Sequence, residues 1–426
     1  MKQFIKLLKN KNYSRLLFAS FVSEMGTMIG ATAFIVYLLR SFSEKPFLTT
    51  LSELMSALPI LLVFAFVGVV TDRFNRQKLA AYSLYCSAGV SVLLMLAVIL
   101  KSIPFIFICL FLRTSVHFFF NPAQASLVQG VLSKEDYIVA SGLNQMLKSS
   151  LDLFGKSLGV FIFWLCGVTG AILIDTISFI LAGSLILSCT FDKKLLLPNG
   201  ESTWKDLHLS SIVSDYKEGL QYALGNKVIK ILLSGCLVFG VLNSFFALLP
   251  IFLLKYKLAP GNYETIVMYE GFAVGLGIIL GSYIVALVAR RLKPYQLIIL
   301  GLFTTGLFTV VIAFSTHVIM FLLCMFAIAF FLPLINMGIG GWLPALVEPQ
   351  KMGRVGGLMT PLIVMSQVTS LLVLYFVFPA FVSVGSLFLF LGFMLIGFSV
   401  FYGYIFPKYI RILHESEVPE SEAAVS

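Results

Sequence analysis

The sequence predicts an all-α membrane protein of twelve transmembrane helices arranged as two six-helix bundles, with both termini cytoplasmic. Three observations carry that expectation. The 426 residues are 59% hydrophobic and 12% charged, whereas a soluble domain carries about 25% charged residues. Apolar runs of about 20 residues, enough to cross roughly 30 Å of hydrocarbon, recur along the whole chain. The basic residues collect in alternate loops, on one side of the membrane.

Taken in order, residues 1–15 carry Lys2, Lys6, Lys9, Lys11 and Arg15 ahead of an apolar run. That run is too long for a signal-peptide core and lacks a small-residue cleavage site, so it stays as the first span. Spans follow near 16–39, 49–70, 79–100, 103–129, 139–165 and 168–190, then near 229–253, 264–289, 295–315, 317–346, 357–378 and 383–406. The first bundle covers 1–190 and the second 229–406. Between them, within 191–228, Leu209, Ile212, Val213, Tyr216 and Leu220 form the apolar stripe of an amphipathic linker helix on the cytoplasmic membrane surface. The tail 407–426, with Glu415, Glu417, Glu420 and Glu422, is expected to be disordered.

Of the 30 Lys and Arg, 23 fall on the side shared by the N-terminus, the loop at Asp72, the linker and the tail. This is the basic face. Arg40, Lys45, Lys101, Lys255 and Lys257 lie on the opposite, far face, and Arg113 and Lys156 lie inside spans. The net charge of +10 therefore reflects topology and calls for no nucleic acid. The halves read as copies: Lys230 and Lys255 bracket span 7 as Arg15 and Arg40 bracket span 1, at the same offset of about half the chain. The six cysteines fall within or at the ends of apolar segments without metal or disulfide spacing.

The turn after span 2 reads Gly68-x-x-x-Asp72-Arg73-x-x-Arg76-x-Lys78. In that place it resembles the signature loop of the major facilitator superfamily (MFS), with Asn75 where the pattern has Gly and Gln77 where it has a basic residue. Asn tolerates a left-handed turn, which would preserve the bend. Arg113-x8-Pro122-Ala123, Leu173-Ile174-Asp175 with Ser178-Phe179, and Gly353-Arg354-Val355 are similar to the macrolide-efflux-type drug:proton antiporters of that superfamily. The resemblance implies the superfamily fold and a proton-coupled antiporter exporting lipophilic or amphipathic, macrolide-like compounds by alternating access. Other cargoes it leaves open are an endogenous siderophore or lysolipid, and proton-symport uptake is the rival direction.

Asp72 at the end of span 2 suits the positive N-terminal end of another helix. The resemblance makes that helix the one opened by Gly353 and Arg354, so Gly68, Asp72, Arg73, Arg76, Gly353 and Arg354 form the expected cytoplasmic gate. Charges inside hydrocarbon are costly and so mark function. Depth along the spans sets Glu24, Arg113 and Asp152 near the midplane. Glu24 is the expected protonatable residue, with Arg113 as the nearby cation and His117 as a second titrating candidate. Lys148, Asp152 and Lys156 line one helix face as a charge cluster, and Glu53, Asp175 and Glu270 are expected at a wet outer vestibule. Gly26-x-x-x-Gly30, Gly155-x-x-x-Gly159 and Gly277-x-x-x-Gly281 read as close helix contacts, and Pro122, Pro333 and Pro361 as bends. Phe34, Phe120, Phe246 and Phe330 are candidates to line a lipophilic cavity.

The histidines are scattered, and the sequence holds no H-E-x-x-H, nucleophile elbow, P-loop or selectivity loop. Enzymes, ATP-driven pumps and channels are thereby disfavoured. No metal or cofactor is expected. The expected partners are a small lipophilic substrate, protons and the bilayer of a bacterial cell membrane, around a monomer with no nucleic acid.

Overall fold

The computed structural model describes residues 7–132, 136–191, 193–196, 221, 225, 227–288, 291–346 and 352–417. The linker stripe at 209–220 lies outside them, as do the side chains of Gly68, Asp72, Arg73, Lys148, Asp152, Gly353 and Arg354. Helices account for nearly all of the described chain, because a backbone crossing lipid has no water to satisfy it and must bond within its own segment.

The first half comprises α1 (Lys11–Ser41), α2 (Phe47–Arg73), α3 (Arg76–Ile99), α4 (Ile103–His117), α5 (Phe120–Val131) and α6 (Tyr137–Leu187). The second comprises α7 (Lys227–Leu253), continued by a π-helical turn over Leu254–Leu258, then α8 (Tyr263–Val288), α9 (Pro294–Ala313), α10 (Val318–Leu346), α11 (Met352–Val377) and α12 (Val384–Glu417). Among the described residues, eleven segments are long and apolar enough to cross a membrane.

One of these segments crosses twice. At 51 residues, α6 is far longer than a bilayer needs, and Gly167 inside it has φ 67° and ψ −174°, a conformation essentially confined to glycine. The arm before Gly167 packs on α1 in parallel: a Cβ at Gly155 would meet Met28 at 2.7 Å and one at Gly159 would meet Thr32 at 2.6 Å. The arm after it descends, with Gly30 against Asp175 and Gly26 against Ser178. Crossings five and six thus form a hairpin turned on one residue.

The fourth span is also interrupted. Pro122 has no N–H for the carbonyl of Phe118 and its ring crowds that carbonyl, and the helix breaks at 118–119 between α4 and α5. Pro361, by contrast, lies inside α11 with the helix continuing around it.

The pairing of helices repeats across the two halves. The first crossing packs on both arms of α6, as α7 packs on α11 and α12; α2 packs on α4 as α8 packs on α10; α3 packs on the descending arm of α6 as α9 packs on α12. With lipid as solvent there is little hydrophobic drive between helices, and small residues at the contacts carry the packing. All three glycine pairs do so, Gly277 approaching the Phe326 carbonyl of α10 to within 2.6 Å of a notional Cβ.

Two expectations change here. Asn75 has φ −59° and is no left-handed turn residue; it caps α3, its side chain accepting from the Lys78 N–H at 3.0 Å. Gln77 donates to the carbonyls of Ile186 (2.9 Å) and Cys189 (2.7 Å), tying the start of α3 to the end of α6. The helix α12 continues through Pro407 to Glu417, so the start of the tail is helical; Lys408–Leu413 is a run without glycine or a further proline to stop it.

Candidate functional site

Ionisable side chains meet in the far-side part of the first half. Arg113, on α4, forms an ion pair with Asp175 on the descending arm of α6. Asp175 is fully buried, and its other oxygen accepts from the Thr27 hydroxyl at 3.3 Å. This contact depends on Gly26 and Gly30: without side chains there, α1 and α6 approach closely enough for a Cβ at Gly30 to lie 3.3 Å from the Asp175 Cβ. A buried pair of this kind is held by its geometry, since each ion has given up water.

Next to it is a cavity of about 20 Å³ lined by Gly30 of α1, by Ser52, Glu53 and Ser56 of α2, and by Arg113. That volume holds about one water molecule. Glu53 is partly buried and lies in the field of the Lys156 ammonium.

Lys156 reaches across to the second half. Its Nζ is 3.4 Å from Oε1 of Glu270, near the start of α8, and Glu270 is buried. On the same seam the Ser157 hydroxyl donates to the Met268 carbonyl (2.9 Å), Trp164 Nε1 donates to Glu264 (2.6 Å), and the Phe154 and Phe272 rings lie 6.4 Å apart. The second seam pairs the start of α2 with the end of α11, with Phe47 edge-on to Tyr375 at 5.6 Å. Tyr256 donates to the Ser43 carbonyl at 2.9 Å. Helix direction places all of these contacts towards the far face.

On the basic side lies a pocket of about 470 Å³ between α1, α5 and the ascending arm of α6, lined by Ser20, Phe21, Glu24, Asn121, Gln129 and Asn144 among others. It combines a carboxylate and carboxamides with apolar walls, the usual mixture of a small-molecule site. Ser20 lies at the limit of hydrogen bonding to Glu24, 3.5 Å.

The residues singled out from the sequence are therefore regrouped. Arg113 pairs with Asp175 and not, among the described residues, with Glu24. Asp175 and Glu270, expected to be wet, are buried at 0% and 1% exposure, because each has a cation to neutralise it. Lys156 turns from its own helix to Glu270. The His117 ring packs on Phe120 (5.7 Å) and Phe179 (5.1 Å). Phe120 is itself fully buried, Phe34 is 3% exposed, and Phe330 packs against Gly281 of α8, so these three serve packing. Arg76 opens α3; the rest of the expected gate lies outside the described side chains. Sequence reasoning missed the link of Glu53 to Arg113 and Lys156. The Ser52-Glu53-x-x-Ser56 spacing, a polar stripe within an apolar span, is the signal that pointed to it.

The profile of an MFS family described as transmembrane secretion effector matches residues 5–349. The chain belongs to this family. The uncharacterized MFS-type transporter YkuC of Bacillus subtilis (strain 168) is 39% identical to this chain over 416 residues, 97% of either chain. Among solved structures, a POT family transporter in complex with 5-aminolevulinic acid superposes with TM-score 0.75 at 12% identity, covering 93% of this chain and 96% of its own. The nucleoside transporter NupG does so with TM-score 0.66 at 13% identity, covering 92% and 98%. These likenesses show the all-helical major facilitator fold. The chain is a multi-pass membrane protein and an MFS secondary transporter of a small molecule, not an enzyme.

Proposed function

We propose that this transporter exports lipophilic or amphipathic compounds, macrolide-like drugs among them, in exchange for protons across a bacterial cytoplasmic membrane. Its halves, 1–190 and 229–406, rock about the seams between α6 and α8 and between α2 and α11, with both termini in the cytoplasm. The observation that carries the reading is where the contacts between the halves fall among the described residues. Ion pair, hydrogen bonds and ring contacts join the halves towards the far face, while the Glu24 pocket lies on the basic side. Such a state takes cargo from the cytoplasm, and its counterpart releases cargo after those seams open. The repeated pairing of helices supports rocking of two similar units, and the family description supports export.

In this cycle Glu24 exchanges a proton for cargo at the pocket, and Asp72 with the start of α11 closes the basic face in the opposite state. The test is flux from proteoliposomes under an imposed pH gradient, across macrolides, dyes, siderophores and lysolipids. Efflux of at least one class should accelerate against an inward proton gradient, and Glu24→Gln should lose the acceleration. Fluxes indifferent to gradients of either sign would overturn proton coupling.

A further inference from the structure

Asp175, Arg113, Glu53, Lys156 and Glu270 form a line of alternating charge that starts inside the first half and ends in the second. Arg113 is taken by Asp175 and Lys156 by Glu270. Glu53 lines the small cavity together with Arg113 and lies in the field of Lys156, without an ion pair of its own among the described residues. Three carboxylates face two cations, so the fully ionised line carries one negative charge and can accept one proton as a unit.

The other titratable groups around Glu53 are engaged elsewhere. On α1, Arg40 lies over the Phe163 ring at 5.9 Å and Tyr37 packs on Phe34 and Phe42, while Glu24 lines the basic-side pocket. On α4, His117 is set among aromatic rings and Cys109 is buried. On α11, Tyr375 stands against Phe47 and Phe376. No acidic or basic residue occurs on α5; those of α3 and α7 are Arg76, Lys78, Lys227 and Lys230, at their basic-face ends.

We propose that Glu53 is a proton-binding site linked to closure of the far face, through exchange of Lys156 between Glu53 and Glu270. This rests on the alternating-access reading above. When the far face opens, α8 withdraws Glu270, and Lys156 turns to the carboxylate left on its own half, Glu53. A proton arriving from the far side adds to a Glu53 carboxylate oxygen, cancels its charge and frees Lys156 to pair with Glu270 as the seam closes. Protonation and closure therefore favour each other, as linkage requires, and the closed fraction rises as pH falls. That is the sign an exporter driven by inward protons needs.

Spin labels at Leu100 and Phe381, both exposed, on far-face turns of opposite halves, report the gap in a cysteine-replaced protein in nanodiscs. With Glu53 intact, the short-distance population should grow from alkaline to acid pH. In Glu53→Gln the short distance should dominate at every pH and the pH response should be lost. In Glu270→Gln, Lys156 keeps Glu53 as its partner, so the midpoint should shift to lower pH; this variant decides the matter if Glu53→Gln does not fold. A normal pH response in Glu53→Gln, or an unmoved midpoint in Glu270→Gln, would overturn the assignment of Glu53 and leave transport intact. Distances insensitive to both pH and cargo in the parent protein would sink alternating access, and Glu53 with it.

Discussion

Asp175 shows most clearly what a single side chain does in this molecule. It is a carboxylate with no exposed surface, and its stability comes from the Arg113 guanidinium and the Thr27 hydroxyl. Removing one ion of such a pair strands the other, at a cost of about 3–5 kcal/mol. Arg113→Met and Asp175→Asn should each lower the melting temperature of the detergent-purified protein accordingly. The double variant should lose much less than the two combined, because their effects are coupled; additive losses would show that the pair does not hold these helices together. This partnership was the least legible part of the sequence. Position along a helix gives an expected depth for Arg113 but not its partner. A turn of about 100° per residue leaves open which neighbour a side chain faces, and so Arg113 was matched with Glu24. The pertinent clue was the absence of side chains at Gly26 and Gly30, which lets α6 bring Asp175 in first.

At the scale of elements, the spans were legible because length and apolarity are properties of the chain itself. Pro122 read as a bend; the missing N–H goes further there and interrupts the helix, as it does not at Pro361. The reversal at Gly167 was visible as a short interval between apolar runs, but its compactness was not: only the backbone angles show that one glycine makes the turn. Gly167→Ala should cost about 1–3 kcal/mol, the usual strain of placing a side chain in that region. Gly89 is the control, since a Cβ there meets nothing within 4 Å. Gly89→Ala, inside α3, should be neutral or stabilising by roughly 0.5–1 kcal/mol. Thermal melting of both variants checks this, and equal shifts would contradict the assigned backbone strain.

For the whole molecule, the far-face seams make a directional prediction. Cysteines placed at Phe47 and Tyr375, whose rings are 5.6 Å apart, should be joined by a short bifunctional thiol reagent once the exposed Cys86 and Cys166 are replaced. Cross-linking should abolish transport, and cleavage of a reducible linker should restore it. Continued flux through a fully cross-linked protein would mean that this seam need not part. The pocket by Glu24 was not legible at this scale, because it draws on three helices whose mutual rotation is set by packing.

The glycine turn of α6 has a mechanical consequence. With a single residue between its arms, the hairpin would carry Lys156 on one arm and Asp175 on the other together in the proposed rocking of the halves. In that cycle a displacement at the seam between the halves would reach the charge buried beside α1 through one turn of chain.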